Sequence, residues 1–126
     1  MSGLNLERKE FEAGQPLFLE GDEGHTAYLI NDGAVMVYKE QSDGQEKSIA
    51  VLRRGDILGE MSLIDDQARA ASAKALETTT VSLIPRDMFQ QRVDKSDPIV
   101  KMLLKVFVTR LRDATHKAVN APKETW

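Results

Sequence analysis

The chain has 126 residues, with 17 Lys and Arg against 20 Asp and Glu, for a formal net charge of -3. That length suits one domain, residues 1–126, with a single hydrophobic core, and the slight acidic balance argues against a nucleic-acid surface, which usually shows a basic excess. The absence of cysteine excludes disulfides, thiolate metal sites and cysteine nucleophiles, and with no apolar run near the roughly 18 residues of a membrane span and no signal-like opening, a soluble cytoplasmic protein is expected.

In chain order, Gly14, Gly21, Gly24, Gly33, Gly44, Gly55 and Gly59 punctuate the first half and then stop. Between them lie short runs of β character: Pro16 to Leu19, Ala27 to Ile30, Val35 to Tyr38 and Ser48 to Leu52. Short strands with turn signals about every 8–12 residues indicate an antiparallel sandwich, roll or barrel. Val35 to Glu40 and Gln45 to Leu52 read as a hairpin, because Asp43-Gly44 supplies the positive φ of a tight turn. Beyond Gly59, a further strand from Thr79 to Ile84 is expected to end at Pro85, which cannot donate to a ladder.

From Arg86 the period becomes helical. Met88, Phe89 and Val93 make a short amphipathic segment, and Ser96-Asp97-Pro98 supplies a cap with proline at the first helical position. A long helix follows, with Val100, Leu103, Phe107, Leu111, Ala114 and Ala118 in one apolar row and Ile99, Met102 and Val106 in a second beside it. The stripe is wider than one contact surface needs. Two readings are open: the helix packs wholly on the β part, or one row meets the β part and the other meets the same helix of a second copy.

The chemistry concentrates in GEMSLIDDQARAAS, residues 59–72, an interruption between strands in which Met61 to Ile64 can form one short helical turn. Free backbone N–H groups among small residues make an anion cradle. Arg69 adds a planar fork of donors suited to phosphate oxygens. Ala70, Ala71 and Ser72 leave room for a ligand to approach the main chain, and Glu60 can accept hydrogen bonds from sugar hydroxyls. Acid for ribose and base for phosphate is the pairing a cyclic nucleotide requires.

These residues resemble the phosphate-binding cassette of cyclic nucleotide-binding domains, whose approximate pattern is Phe-Gly-Glu, a few apolar or small residues, a variable stretch, then Pro-Arg-Ala-Ala-Thr. Here the segment reads Leu58-Gly59-Glu60, Met61-Ser62-Leu63-Ile64, Asp65-Asp66-Gln67, Ala68-Arg69-Ala70-Ala71-Ser72. Phe18 to Gly24, Tyr28 to Gly33 and Gly55-Asp56 extend the resemblance upstream. It implies a mainly β fold with C-terminal α: an antiparallel β-roll of the jelly-roll type, about eight strands over residues 1–85, with a cassette over 58–73, and helices over 86–120 whose last folds over the base. It also implies that Glu60 bonds the ribose 2′-hydroxyl and Arg69 an exocyclic phosphate oxygen. The amides of Gly59, Met61, Ser62, Ala70 and Ala71 would complete the site, with Ser72 at its end; Thr115 and Lys105 point from the long helix and are candidates for base contacts. Leu58, Ala68 and Ser72 depart from the pattern, and without proline at 68 the loop is expected to be less preorganised. Ala70, where cyclic GMP-preferring domains often carry Thr, tilts the ligand towards cyclic AMP, with cyclic GMP as the alternative.

Blander readings stand beside these. Arg69 could pair on the surface with Asp65 or Asp66; His25 and His116 are too isolated to hold a metal; Thr115 and Lys105 could be ordinary exposed helical residues; Trp126 could be loose. No nucleophile or acid–base constellation is present, so no enzyme and no cofactor are expected. Three functions follow: a cyclic nucleotide sensor, a degenerate roll kept as an interaction or dimerisation module, and a metal-binding roll of cupin type, for which histidines are too few. No helix-turn-helix follows the long helix, so an effector in trans is expected, alongside a homodimer through that helix.

Overall fold

The structure is a computed structural model that describes residues 6–120, with side chains described through residue 115. The side chains of His116 and Ala118 and the whole of Trp126 lie outside it. Two four-stranded antiparallel sheets carry the β part. One has the order β1 (Arg8–Phe11), β8 (Thr79–Pro85), β3 (Thr26–Asp32), β6 (Ile57–Leu58); the other has the order β2 (Pro16–Phe18), β7 (Ser72–Ala75), β4 (Ala34–Glu40), β5 (Glu46–Arg53). The eight strands form the β-roll that the sequence implied.

The expected hairpin is present. Strands β4 and β5 pair from Ala34↔Arg53 to Glu40↔Glu46, and Gly44 takes φ 83° at the turn while Asp43 Oδ1 accepts the Gln45 N–H at 3.0 Å. Strand β8 pairs with β3 as far as Thr26↔Pro85, and Pro85 then caps the helix that follows. Three strands, β1, β6 and β7, fall outside the runs read from the sequence, and β6 is only the pair Ile57–Leu58. In β1, Arg-Lys-Glu-Phe, only Phe11 is buried. In β7, Ser-Ala-Lys-Ala, alanine has little intrinsic β preference, yet β7 lies between β2 and β4 with Ala73 and Ala75 fully inside. Small side chains suit that crowded position, so tertiary packing overrides propensity there.

Phe11, Ile30, Val35, Leu58, Ala73, Ala75 and Val81 form the buried core, flanked by Leu17, Phe18, Tyr28, Leu52 and Leu83. It draws on both sheets, so it fixes the roll that carries residues 59–72.

Helices α1 (Arg86–Asp94) and α2 (Pro98–Asn120) close the chain. Asp97 caps α2 as expected, its Oδ1 accepting the Ile99 N–H at 2.9 Å. The packing of α2 corrects the sequence reading. Among the described side chains neither apolar row is buried on the roll: Ile99, Val100, Met102, Leu103, Val106, Phe107 and Leu111 are between 38% and 60% exposed. The helix docks instead by a third row, Lys101, Leu104, Val108, Arg112 and Thr115, of which Val108 is buried and the others are partly buried. This row mixes cations with apolar residues, so hydrophobic periodicity does not mark it.

Candidate functional site

Strand β6 ends at Leu58, and Gly59 turns the chain in the left-handed region (φ 74°, ψ 12°), which favours glycine. A single 3₁₀ turn, Glu60–Leu63, follows, one residue earlier than the expected Met61 to Ile64, with Ser62 and Leu63 buried. The chain then crosses an exposed stretch, Asp66 to Ala68, before Arg69 and β7. The Arg69 main chain is pinned from both sides, its N–H donating to the Asp22 carbonyl and its carbonyl accepting the Gly21 N–H, both at 2.9 Å.

The Arg69 side chain is not a surface partner of the neighbouring aspartates. It is 5% exposed, donating from Nη2 to the Thr26 carbonyl (2.8 Å) and from Nη1 to the Gly59 carbonyl (3.4 Å). Its guanidinium lies 4.3 Å from the Phe18 ring centroid, and Phe18 in turn stacks on Tyr28. Gly24 makes room for it, since a Cβ there would come within 2.3 Å of Nη2. Burial, the largest cause, lowers the Arg69 pKa from the ordinary arginine value, but the group remains a cation at neutral pH. Its Nε is buried without a hydrogen-bond partner. A buried cation bonded only to neutral carbonyls, with one donor unsatisfied, is a place where an anion is stabilised.

Arg69 lines a cavity of about 210 Å³. Glu60, Gly59, Met61 and Ser62 from the turn, Ala70 and Ala71 after the arginine, and Thr115 of α2 share its wall. Val37, Ile49, Ala50 and Leu52 of the β4–β5 hairpin, with Phe18, Ile57 and Leu58, make an apolar side able to hold a flat ring. The structure thus brings together the residues expected to face phosphate, ribose and base, with two exceptions. Lys105 lies on a separate cavity with Arg86, Asp94 and Lys101, because it projects from a different side of α2 than Thr115. Ser72 is not in the wall: its Oγ accepts the Glu20 N–H at 2.8 Å, tying β7 to the loop after β2. Among the described residues no three His, Cys, Asp or Glu side chains are placed to hold a metal, and no helix is long and apolar enough to cross a membrane.

Two residues missed in the sequence grip this segment from the helices. Arg112 of α2 meets Asp65 in a two-point bridge, Nε to Oδ2 at 2.6 Å and Nη2 to Oδ1 at 2.7 Å, and reaches the carbonyls of Ala68 (3.1 Å) and Gln67 (3.4 Å). Arg86 at the start of α1 pairs with Asp66. The two aspartates are thus paired with Arg112 and Arg86 rather than with Arg69. A carboxylate pair in the loop opposite arginines in both helices was the available signal, but fixed sequence spacing does not connect residues 47 positions apart.

The family model described as cyclic nucleotide-binding domain matches residues 8–96. The chain is 33% identical over 109 residues to the cyclic AMP receptor protein of Thermus thermophilus, covering 86% of this chain and 50% of that relative. It superposes on the cyclic AMP-bound form of the EAL enzyme Bd1971 with a TM-score of 0.82 at 34% identity, covering 90% of this chain and 30% of the other. For the cyclic GMP-bound form of the same enzyme the TM-score is 0.77 at 37% identity, covering 84% and 28%. The chain thus spans half the length of its Thermus relative and under a third of the enzyme.

Proposed function

The chain belongs to the cyclic nucleotide-binding domain family, and from that premise we propose that it is a regulatory module, residues 1–126 acting as one domain, whose 210 Å³ cavity takes cyclic AMP in preference to cyclic GMP. The observation that carries the reading is Arg69, a buried cation with an unsatisfied Nε in the wall of a cavity also lined by Glu60. In this reading Arg69 holds the exocyclic phosphate with the amides around Gly59, Met61, Ser62, Ala70 and Ala71, and Glu60 accepts from the ribose 2′-hydroxyl. Ala70 offers no hydroxyl to a guanine, and Thr115 meets the base from α2. Cyclic AMP and cyclic GMP forms of Bd1971 support the ligand class. The module has no catalytic role of its own; it acts by passing ligand occupancy through α2 to a partner.

The outward face of α2 supports a second copy as one such partner. Ile99, Leu103 and Val106 succeed each other at steps of four and three, the spacing of a two-helix seam, and all three are exposed. The direct test of the ligand is titration of the purified chain and of its Arg69→Ala variant with cyclic AMP. Binding by the first and strong weakening in the second is expected; equal affinity removes Arg69 from the site.

A further inference from the structure

We infer that Arg112 of α2 is a positioning residue for the ligand cavity, holding the loop that aims Arg69. The inference rests on the nucleotide reading above. Between the buried Leu63 and the buried Arg69, the chain runs through Asp66, Gln67 and Ala68, all exposed and in no strand or helix. Backbone geometry alone leaves such a stretch several conformations, and Ala68 has no ring to fix its φ. Arg86 of α1 takes Asp66, and the rest of the stretch is held by one side chain of α2. Arg112 occupies both oxygens of Asp65 and the carbonyls of Gln67 and Ala68, so the two residues that precede Arg69 converge with Asp65 on a single guanidinium. Asp65 also turns back to accept the Gln67 N–H at 3.1 Å.

On its other side Arg69 is tied to Gly21 and Asp22. Its fork is thus fixed between the loop after β2 and a loop fastened to α2. The planar, five-donor guanidinium is what makes this possible: a lysine at 112 supplies a point charge but cannot bridge a carboxylate and two carbonyls at once. Because Arg112 also lines the cavity, a movement of α2 away from the roll withdraws the clamp and part of the wall together. Coupling between helix and ligand is reciprocal: whatever ligand affinity α2 confers by docking, ligand returns as docking of α2.

A role through Arg69 is separable from general support of the fold by a double-mutant comparison. Cyclic AMP affinity is measured for the full chain, for Arg112→Ala, for Arg69→Lys, which keeps the cation but loses the fork, and for the double variant. If Arg112 acts by aiming the fork, Arg112→Ala weakens binding about tenfold in the natural background and about twofold or less in the Arg69→Lys background. Unchanged affinity in Arg112→Ala, or the same loss in both backgrounds, overturns the inference. Should Arg112→Ala lose its cooperative melt, Asp65→Asn in the same two backgrounds carries the comparison with the same two outcomes. No binding by the natural chain overturns the nucleotide reading and this inference with it, whereas binding with either contrary pattern overturns the inference alone.

Discussion

Arg69 is the one charged side chain among the buried described residues, and the site's chemistry turns on it. Arg69→Ala is expected to weaken cyclic AMP binding by about 2–4 kcal/mol, since charge-assisted hydrogen bonds to phosphate are lost. Calorimetric titration checks it. Gly24→Ala tests the same residue from behind, because the new Cβ falls 2.3–2.6 Å from the guanidinium; lowered affinity with a retained melt is expected. For Glu60, Gln is expected to cost less than Ala, as a neutral acceptor remains. A 2′-deoxy ligand binding as tightly as cyclic AMP contradicts the ribose role.

Asp65 adds a pH dependence. Burial pushes its pKa up, but the hydrogen bonds from Arg112 and the Gln67 N–H, with the charges of Arg112 and Arg86, outweigh this and hold it below the ordinary 3.8. A depressed carboxylate contributes stability that is fully present above the ordinary value and disappears as pH falls through the lowered one. Thermal melts between about pH 2 and 5 are therefore expected to show an acid limb that flattens in Asp65→Asn; an unchanged limb assigns the acid sensitivity elsewhere.

At the scale of elements, α2 is where sequence and structure part. Periodicity located the apolar rows and the Asp97 cap, yet both rows face outward and the helix docks through Lys101, Leu104, Val108, Arg112 and Thr115. An apolar stripe says that a face is to be covered without saying by what, and a docking row held partly by ion pairs leaves no hydrophobic signature. The contacts of α2 with the cassette turn and loop are few and largely polar, and polar contacts exchange more readily than a packed core. Hydrogen exchange along Val100 to Ala114 is expected to slow when cyclic AMP is added. Equal protection with and without ligand makes α2 a fixed element. Leu103→Glu is expected to reduce the mass seen in sedimentation to that of one chain, since a charge in a two-helix seam is unpaired; a natural chain that is already monomeric removes the seam.

For the whole molecule, the roll was legible because its turns are written in glycine and Asp-Gly and its hairpin in alternating β-branched residues, while β1 and β7 were not, being specified by neighbours rather than by their own composition. The cassette was legible because Glu60 and Arg69 lie within one short segment. Its apolar wall and its clamp were not, since Ile49 and Leu52 of the hairpin and Arg112 of α2 reach the cavity only through the fold. What unites the parts is a buried cation in a cavity with an acid in its wall, in a chain of the cyclic nucleotide-binding domain family. Calorimetric titration of the full chain with cyclic AMP at neutral pH tests that most directly: one saturable site is the predicted result, and no measurable heat or competition across the accessible concentration range contradicts it.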